Sequence, residues 1–172
     1  ITMTANNASN KNLTMSSTNS GSGTGIINID ATGTVNLTTS ANNSNITLTP
    51  HGTGEVQLIN PRVVDGGTAT QSSSKSDAVT INKRTGTITM NAAALNDMQK
   101  ATFVVNNTTI TAEDVVIINH VSGGTIGDYI VTVGGCTTTP STNFQVTVIN
   151  FSGSQQSDAI VLKFVVIGGA ST

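Results

Sequence analysis

The acidic and histidine side chains are the first candidates for chemistry, and they are sparse. The chain has nine acids and two histidines in 172 residues. His51 lies in a Pro-His-Gly turn, and His120 follows the apolar run from Val115 to Ile118. A metal site usually takes three or four ligands from one chain, although one histidine from each of three chains could ring an ion at His51 or His120. The alternative is that His51 is a turn residue and His120 a hydrogen-bonded residue at a strand end. We expect no cofactor.

The acids do not predict catalysis. Glu113 and Asp114 are adjacent, and Asp128 and Asp158 each stand where a predicted strand begins. Paired carboxylates can hydrolyse glycosides when their separation suits, but Asp beside a strand usually caps a turn. Cys136 has no basic neighbour in the sequence to activate it as a nucleophile, and no G-x-S-x-G motif occurs. We therefore expect a protein that is not an enzyme.

Binding through loops is the remaining chemistry. Four polar and mostly uncharged loops lie between predicted strands, and such loops carry recognition on a rigid sandwich: Asn106–Asp114, Ser122–Asp128, Thr137–Asn143 and Ser152–Asp158. Their hydroxyls, amides and carboxylates suit neutral sugars, on whose faces an aromatic ring can stack. Tyr129, the only tyrosine, adjoins Asp128. We predict that Asp128, Tyr129 and Asn143 bind a receptor; the alternative for Tyr129 is a place at the edge of the core.

The composition predicts an all-β protein. Only 9% of residues are charged and 3% aromatic, but the apolar residues are largely Val and Ile in alternating runs, which are typical of strands. A net charge of −2 with seven scattered Lys and Arg argues against nucleic acid as a partner. The longest apolar run is too short to cross a membrane. The chain begins at Ile1 without a start Met, which suggests the end of something longer.

Residues 1–59 repeat one small pattern, two apolar residues spaced by two. Each pair predicts a short strand with a single apolar face, and Gly, Asn and Pro turns separate them. The pairs are Ile1/Met3, Leu13/Met15, Ile27/Ile29, Val35/Leu37, Ile46/Leu48 and Val56/Leu58. So few apolar side chains do not offset the conformational entropy of so long a segment in one chain. We therefore predict a parallel homotrimeric shaft; the alternative, a single-chain β-helix, fits the irregular spacing of the pairs less well.

The rest of the chain is predicted to form a neck and a head. Residues 60–74 contain strand-breaking Pro61 and Gly66-Gly67 and a Ser run, and predict a neck. Residues 75–172 predict a jelly-roll-like β-sandwich, in which Lys83–Gly86 makes a hairpin turn and Asn91–Lys100 a turn of helix with Leu95 and Met98 on one side. The predicted strands are Ala78–Lys83, Gly86–Asn91, Ala101–Asn106, Val115–Val121, Tyr129–Val133, Asn143–Asn150 and Ala159–Ile167.

Several segments carry a resemblance to a known group of proteins. The segments are S74-K-S-D-A-V-T-I-N-K-R-T-G-T-I-T-M-N91, D114-V-V-I-I-N-H-V-S-G-G-T-I-G-D-Y-I-V-T-V133 and A159-I-V-L-K-F-V-V-I-G168. They resemble a C-terminal domain of tail fibres and structural proteins of marine bacteriophages, with relatives in algal viruses. The phrase N45-I-T-L-T-P-H-G-T-G-E-V-Q-L58 resembles the repeats that precede such domains. The resemblance implies a trimeric virion fibre with a host-facing or capsid-decorating head, and it supplies no catalytic motif.

The sequence thus favours a viral structural protein, the distal part of a homotrimeric fibre that joins upstream virion proteins and attaches to a host-surface receptor, in particular a glycan. One alternative is a capsid head fibre or decoration protein. Another is a secreted carbohydrate-binding module, which should be monomeric. A depolymerase spike is disfavoured, since the chain lacks clustered acids and a long regular β-helix.

Overall fold

A computed structural model describes residues 15–16, 26–27, 29–39, 46–59 and 61–169. The chain divides into two compact units, Ile1–Gln57 and Leu58–Thr172. Every regular element among the described residues is a β-strand, so the prediction of an all-β protein is confirmed. In this part of the chain there is no helix that could span a membrane.

Eight strands build the second unit, and they form two four-stranded mixed sheets. Sheet A has the order β1-β3-β8-β5, and sheet B has the order β2-β4-β7-β6. The pairs β1/β3 and β2/β4 are parallel, and the others are antiparallel. The strands are β1 (Gly66–Thr70), β2 (Val79–Thr80), β3 (Thr85–Thr89), β4 (Lys100–Asn106), β5 (Val115–Ser122), β6 (Tyr129–Val133), β7 (Asn143–Asn150) and β8 (Val161–Ile167).

One core lies between the two sheets, as in a β-sandwich. Alternate residues of each strand point inward because the side-chain period of a strand is two. In β7 these are Phe144, Val146 and Val148, all fully buried. The rings of Phe144 and Phe164 meet edge to face across the core, with centroids 5.2 Å apart. Each such buried side chain contributes about 1.5–3 kcal/mol to the free energy of folding. The sequence of residues 1–59 contains too few apolar residues for a comparable core in one chain.

The predicted hairpin turn at Lys83–Gly86 is wrong. β2 pairs with β4 in sheet B, whereas β3 pairs with β1 and β8 in sheet A, so residues 81–84 cross from one sheet to the other. Ile81, which was assigned to a hairpin strand, is buried in the shared core. A Gly after two polar residues signals a turn, but it does not say whether the chain returns to the same sheet.

The predicted turn of helix within Asn91–Lys100 is also wrong. Leu95 is buried and forms an isolated β-bridge with Gln156. Met98 is 63% exposed and adopts a φ of 61°, a left-handed conformation that a helix excludes. The spacing of Leu95 and Met98 matched a helix, but the segment bonds to a distant loop instead.

Part of the predicted neck is a strand. Gly66–Thr70 forms β1, which runs parallel to β3 at the edge of sheet A. The two glycines here do not break the strand. A Cβ added to Gly67 would lie 2.7 Å from Cγ2 of Ile81, so glycine permits the close approach of β1 to the segment that crosses between the sheets.

The described part of residues 15–59 contains no strand. The short strands predicted at Ile27/Ile29, Val35/Leu37, Ile46/Leu48 and Val56/Leu58 are therefore not formed within a single chain, and these side chains are 44–66% exposed. A strand requires a hydrogen-bonded neighbour, and none is provided by the described residues of one chain. The pair Ile1/Met3 and the residue Leu13 lie outside the described residues.

The sandwich has two distinguishable ends. Residues 61–65 lead into β1, and the loops at the same end are 81–84, 107–114 and 134–142; we call this the entry end. The opposite end carries the loops 71–78, 90–99, 123–128 and 151–160; we call this the far end. Six of the seven connections cross between the sheets. The short connections among them show which strand ends of sheet A lie beside which strand ends of sheet B.

Candidate binding site

The structure separates the three predicted receptor-binding residues. Tyr129 pairs with Asn150, the last residue of β7, while Asn143 is the first residue of that strand. Seven residues of strand span about 23 Å. Asp128 and Tyr129 therefore lie at the far end and Asn143 at the entry end, and one small ligand cannot touch all three.

Tyr129 does not present its ring to solvent. The residue is 6% exposed, and its hydroxyl donates to Oδ2 of Asp158 at 2.9 Å. Burial, with the hydrogen bond and the charge of Asp158, raises the pKa of Tyr129 well above its ordinary value. The ring also meets His120 edge to face at 5.7 Å. The predicted stacking role of Tyr129 is therefore wrong. Tyr129 occupies an inward-pointing position of β6, and its ring lies in the core.

Phe151 is the exposed aromatic side chain of the head. It is 56% exposed, whereas the four other aromatic residues of the chain are buried. Its backbone N–H donates to the carbonyl of Asp128 at 2.7 Å, so it lies beside the carboxylate that the sequence did identify. Phe151 is not among the residues predicted from the sequence, although strand parity points to it: Phe144, Val146, Val148 and Asn150 point inward, and Phe151 is the next outward position.

The loop that follows Phe151 is held in one conformation by Asn150. Asn150 is fully buried, and its amide donates to the carbonyls of Leu95 and Ser154 at 2.8 and 2.7 Å. Its Oδ1 accepts the N–H of Ser152 at 3.0 Å. A buried amide with three bonds fixes the surrounding backbone, and Phe151 is thereby presented on a preorganised loop.

A second far-end loop lies against the first. Gly153 N–H donates to Oδ1 of Asp97 at 2.9 Å, and Gln155 donates to Asn96. Met98, 63% exposed, donates its N–H to the carbonyl of Asn150 at 2.8 Å. Met98, Asp128 and Phe151 thus lie on adjoining backbone segments, and we call these three residues the Phe151 patch. It combines an aromatic face, a flexible apolar side chain and a carboxylate.

Lys75 ties the far-end loops together from inside. It is 4% exposed, and Nζ donates to the carbonyls of Asn91 at 2.7 Å and Asp158 at 2.5 Å. Burial lowers the pKa of Lys75, and the charge of Asp158 opposes that shift. Because its ammonium is occupied by two carbonyls, Lys75 is a structural brace rather than a surface charge for a ligand.

The Ser run of the predicted neck is organised by Asp77. One carboxylate oxygen, Oδ2, accepts the N–H groups of Ser73 and Ser74 at 2.7 and 3.0 Å and the hydroxyls of Ser72 and Ser73, both at 3.0 Å. The hydrogen bonds from Ser73, followed by those from Ser74 and Ser72, lower the pKa of Asp77 to about 2. The sequence 71–78 is therefore an ordered far-end loop.

Asn143 lines a separate cleft at the entry end, with a volume of about 480 Å³. The cleft has no charged residue in its lining: Val104, Gly134, Gly135, Thr137, Thr139, Pro140, Ser141, Asn143 and Gln145. The Asn143 amide donates to the carbonyl and hydroxyl of Ser141 at 3.0 and 2.8 Å, and Oδ1 accepts from Thr137 at 3.3 Å. The side chain is thus used to shape its own loop.

The histidines have local roles. His51 is exposed and opens a turn that the Gly54 N–H closes on the His51 carbonyl at 3.2 Å. His120 is 7% exposed, and its Nε2 donates to the carbonyls of Ser122 and Gly123 at 3.0 and 2.7 Å. A ring buried inside one sandwich cannot reach an axis shared by three chains, which overturns the metal site considered for His120. Among the described residues, no three His, Cys, Asp or Glu side chains converge as a metal site.

The remaining candidates for chemistry are structural. Oδ2 of Asp114 accepts the N–H of Thr111 at 3.0 Å and lies 3.0 Å from Arg84. Burial acts to raise the pKa of Asp114, but these bonds and the charge of Arg84 outweigh it and lower the pKa. Cys136 is buried, and burial raises the pKa of its thiol, which disfavours the nucleophilic thiolate.

Comparison of the chain with protein-family models, with curated proteins and with solved structures finds no match. The function proposed below therefore rests on the chemistry and geometry of the chain itself.

Proposed function

We propose that this chain is the distal part of a homotrimeric virion fibre, whose sandwich head attaches to a host-surface glycan through the Phe151 patch. The observation that carries the proposal is a contrast between the two units. The head has a core of fully buried apolar side chains within one chain, whereas both members of every described apolar pair in the preceding segment are 44–66% exposed.

The exposed pairs support a shared core. In Val35/Leu37, Ile46/Leu48 and Val56/Leu58 both side chains are exposed, and residues spaced by two would share one face if the segment formed a strand. Repeated exposure of this kind is unfavourable in water. Three parallel chains would cover the pairs at a common axis and would provide neighbouring strands.

The position of the Phe151 patch supports attachment. The chain enters the sandwich at the entry end, and the patch lies at the far end. In a fibre this arrangement leaves the patch free to meet a surface. The Phe151 ring suits the apolar face of a sugar, and the Asp128 carboxylate suits its hydroxyl groups.

Three copies on one axis would act by multivalency. Weak individual contacts gain avidity when the sites are held within reach of the same surface. The firm anchoring of the patch by Asn150 favours this, because little conformational entropy remains to be lost on binding.

The topology supports a jelly-roll-like head in part. Six of seven connections cross between the sheets, as in the winding of a jelly roll, but β1/β3 and β2/β4 pair in parallel, whereas a jelly roll is antiparallel.

Two other functions make different demands on the chain. A capsid head fibre or decoration protein would also be trimeric, but its location on the particle would differ. A secreted carbohydrate-binding module would use the same patch as a monomer. The mass of the chain in solution separates this second alternative from the fibre.

A binding experiment tests the attachment role. The full chain is applied to a printed array of neutral and acidic glycans, beside the variants Phe151→Ala and Asn143→Ala. We expect the wild type to bind a subset of glycans, Phe151→Ala to lose at least tenfold in apparent affinity, and Asn143→Ala to bind as the wild type does. Phe151 lies in the patch at the far end and Asn143 lines the cleft at the entry end, so the two variants test the two ends of the sandwich separately.

Three results would contradict the proposal. Absence of binding to any glycan would remove the glycan role. Undiminished binding by Phe151→Ala would remove the patch. Selective loss in Asn143→Ala would transfer the site to the entry-end cleft.

A further inference from the structure

The outer surface of sheet A has an apolar half that the sandwich does not cover. On β5, Val115, Ile117 and Val121 point away from the core and are 57, 54 and 40% exposed. Ile167 of β8, which pairs with Val115, is 52% exposed. We call these four residues the β5 face. Its side chains are as exposed as those of the shaft pairs, although they stand on a well-formed sheet.

The other half of the same surface is polar. The outward residues of β1 and β3 include Thr68, Thr85 and Thr87, whereas the inward residues include Ile88. The strands therefore follow the usual rule of apolar inside and polar outside on one half of the sheet and depart from it on the other. The departure makes the β5 face the candidate contact surface of sheet A.

β5 is also an edge strand of sheet A. An exposed edge with apolar side chains promotes association with other chains, and proteins usually blunt such edges with charged residues. The outward row of β5 has Asn119 between Ile117 and Val121 and contains no charge. Lys163 of the neighbouring strand β8 pairs with Asn119 and is exposed.

The size of the β5 face identifies its occupant. Eight residues of strand extend about 27 Å, and two strands are about 10 Å wide, so the face covers roughly 270 Å². A stable complex between free proteins buries about 800 Å² on each partner. The face is too small to capture a free protein, but it is sufficient for a neighbour already held close by a tether, since tethering supplies a high effective concentration.

We propose that the β5 face packs against the same face of two further copies of this chain, around the threefold axis of the fibre. This inference rests on the proposed trimeric shaft, which provides the tether. Val115 and Ile167 lie at the entry end, where the chain joins the sandwich, and so they are the part of the face that the tether brings together first. The heads are then aligned on the axis instead of hanging independently.

Cysteine cross-linking of the full chain tests this arrangement. Asn119→Cys introduces a thiol in the middle of the face without removing an apolar side chain, and Thr68→Cys introduces one on the polar half of the same sheet as a matched control. Both are made in a Cys136→Ala background, which removes the native thiol. After mild oxidation we expect covalently linked pairs of chains for Asn119→Cys at a rate at least tenfold above that for Thr68→Cys.

A second variant removes the packing and leaves the tether. Ile117→Lys places a charge within the face, so we expect the trimeric mass to persist and the cross-linking of Asn119→Cys to fall at least tenfold. A chain that is not trimeric contradicts the proposed shaft. A trimer in which Asn119→Cys and Thr68→Cys cross-link equally, or in which Ile117→Lys has no effect, contradicts the β5 face alone.

Discussion

Asp77 shows how one side chain can order a loop whose composition suggests a flexible linker. Its carboxylate gathers two backbone N–H groups and two hydroxyls from the Ser run. Such bonds favour the ionised carboxylate, and the folded chain is therefore stabilised when Asp77 is charged.

The pKa of Asp77 predicts a pH dependence. Hydrogen bonds led by those from Ser73 lower this pKa from 3.8 to about 2. The contribution to stability is complete above the unfolded value of 3.8 and is lost as the pH falls through about 2. We expect the difference in melting temperature between wild type and Asp77→Asn, measured by thermal unfolding, to stay constant from pH 6 down to about pH 4 and to shrink as the pH falls from there to about 2.

Glu55→Gln is the control for this series, because Glu55 is an exposed carboxylate outside the loop. The melting temperature of Glu55→Gln should follow that of the wild type over the whole pH range. Parallel curves for wild type and Asp77→Asn over the whole pH range would show that the loop does not depend on the charge.

Asn150 is the residue on which the geometry of the Phe151 patch depends. Asn150→Ala removes three hydrogen bonds, the two that its amide donates to the carbonyls of Leu95 and Ser154 and the one that its Oδ1 accepts from Ser152, and each lost bond costs about 0.5–1.5 kcal/mol. We expect the free energy of unfolding to fall by about 2–4 kcal/mol in urea titrations. Asn96→Ala, an exposed asparagine in the facing loop, should change it by less than about 0.5 kcal/mol. Equal effects of the two variants would argue against the anchoring role.

At this scale the sequence predicted that an aromatic side chain lies beside Asp128, but it indicated the wrong residue. Asp128 does lie at the far end, beside an aromatic residue, and that residue is Phe151 rather than Tyr129. Adjacency in sequence placed Tyr129 next to Asp128, but neighbouring residues of a strand point to opposite faces. Only the pairing of β6 with β7 brings Phe151 alongside.

Among the elements, Gly86 of β3 leaves room for the ring of Phe164, which it pairs with on the neighbouring strand β8. A Cβ on Gly86 would lie 2.3 Å from Cε1 and 2.7 Å from Cζ of Phe164, a side chain that is itself 4% exposed. We expect Gly86→Ala to lower the free energy of unfolding by about 1–3 kcal/mol, as overpacking of a core does. Gly135→Ala is the control, since a Cβ there meets nothing within 4 Å. An unchanged stability in Gly86→Ala would mean that Phe164 can move aside.

The strands of the head could be predicted because their apolar residues alternate. The predicted segments overlap β2 to β8, and the errors concern partners that are distant in sequence. β1 was not predicted because two adjacent glycines suggest a break in a strand. In the structure Gly67 allows β1 to pack closely against Ile81. Leu95 was assigned to a helix because its bridge to Gln156 joins residues 61 positions apart. Periodicity reports which face a residue takes, but it does not report which segment lies opposite.

At the scale of the whole molecule, the two units differ in where their apolar residues find partners. The head closes its core within one chain, and the described part of the preceding segment leaves its apolar pairs in solvent. The β5 face and the Phe151 patch then have separate roles in the proposed fibre. One aligns the three heads, and the other meets the host.

The mass of the full chain in solution tests this account most directly. It is measured by light scattering at several concentrations, beside Leu48→Asn, which adds a polar group to an exposed apolar pair, and Thr47→Asn, which alters the neighbouring position. We predict a concentration-independent mass of three chains, about 52 kDa from three times 17.5 kDa. The trimer should dissociate more readily in Leu48→Asn and should be unchanged in Thr47→Asn. A folded, stable monomer of 17.5 kDa would contradict the trimeric fibre.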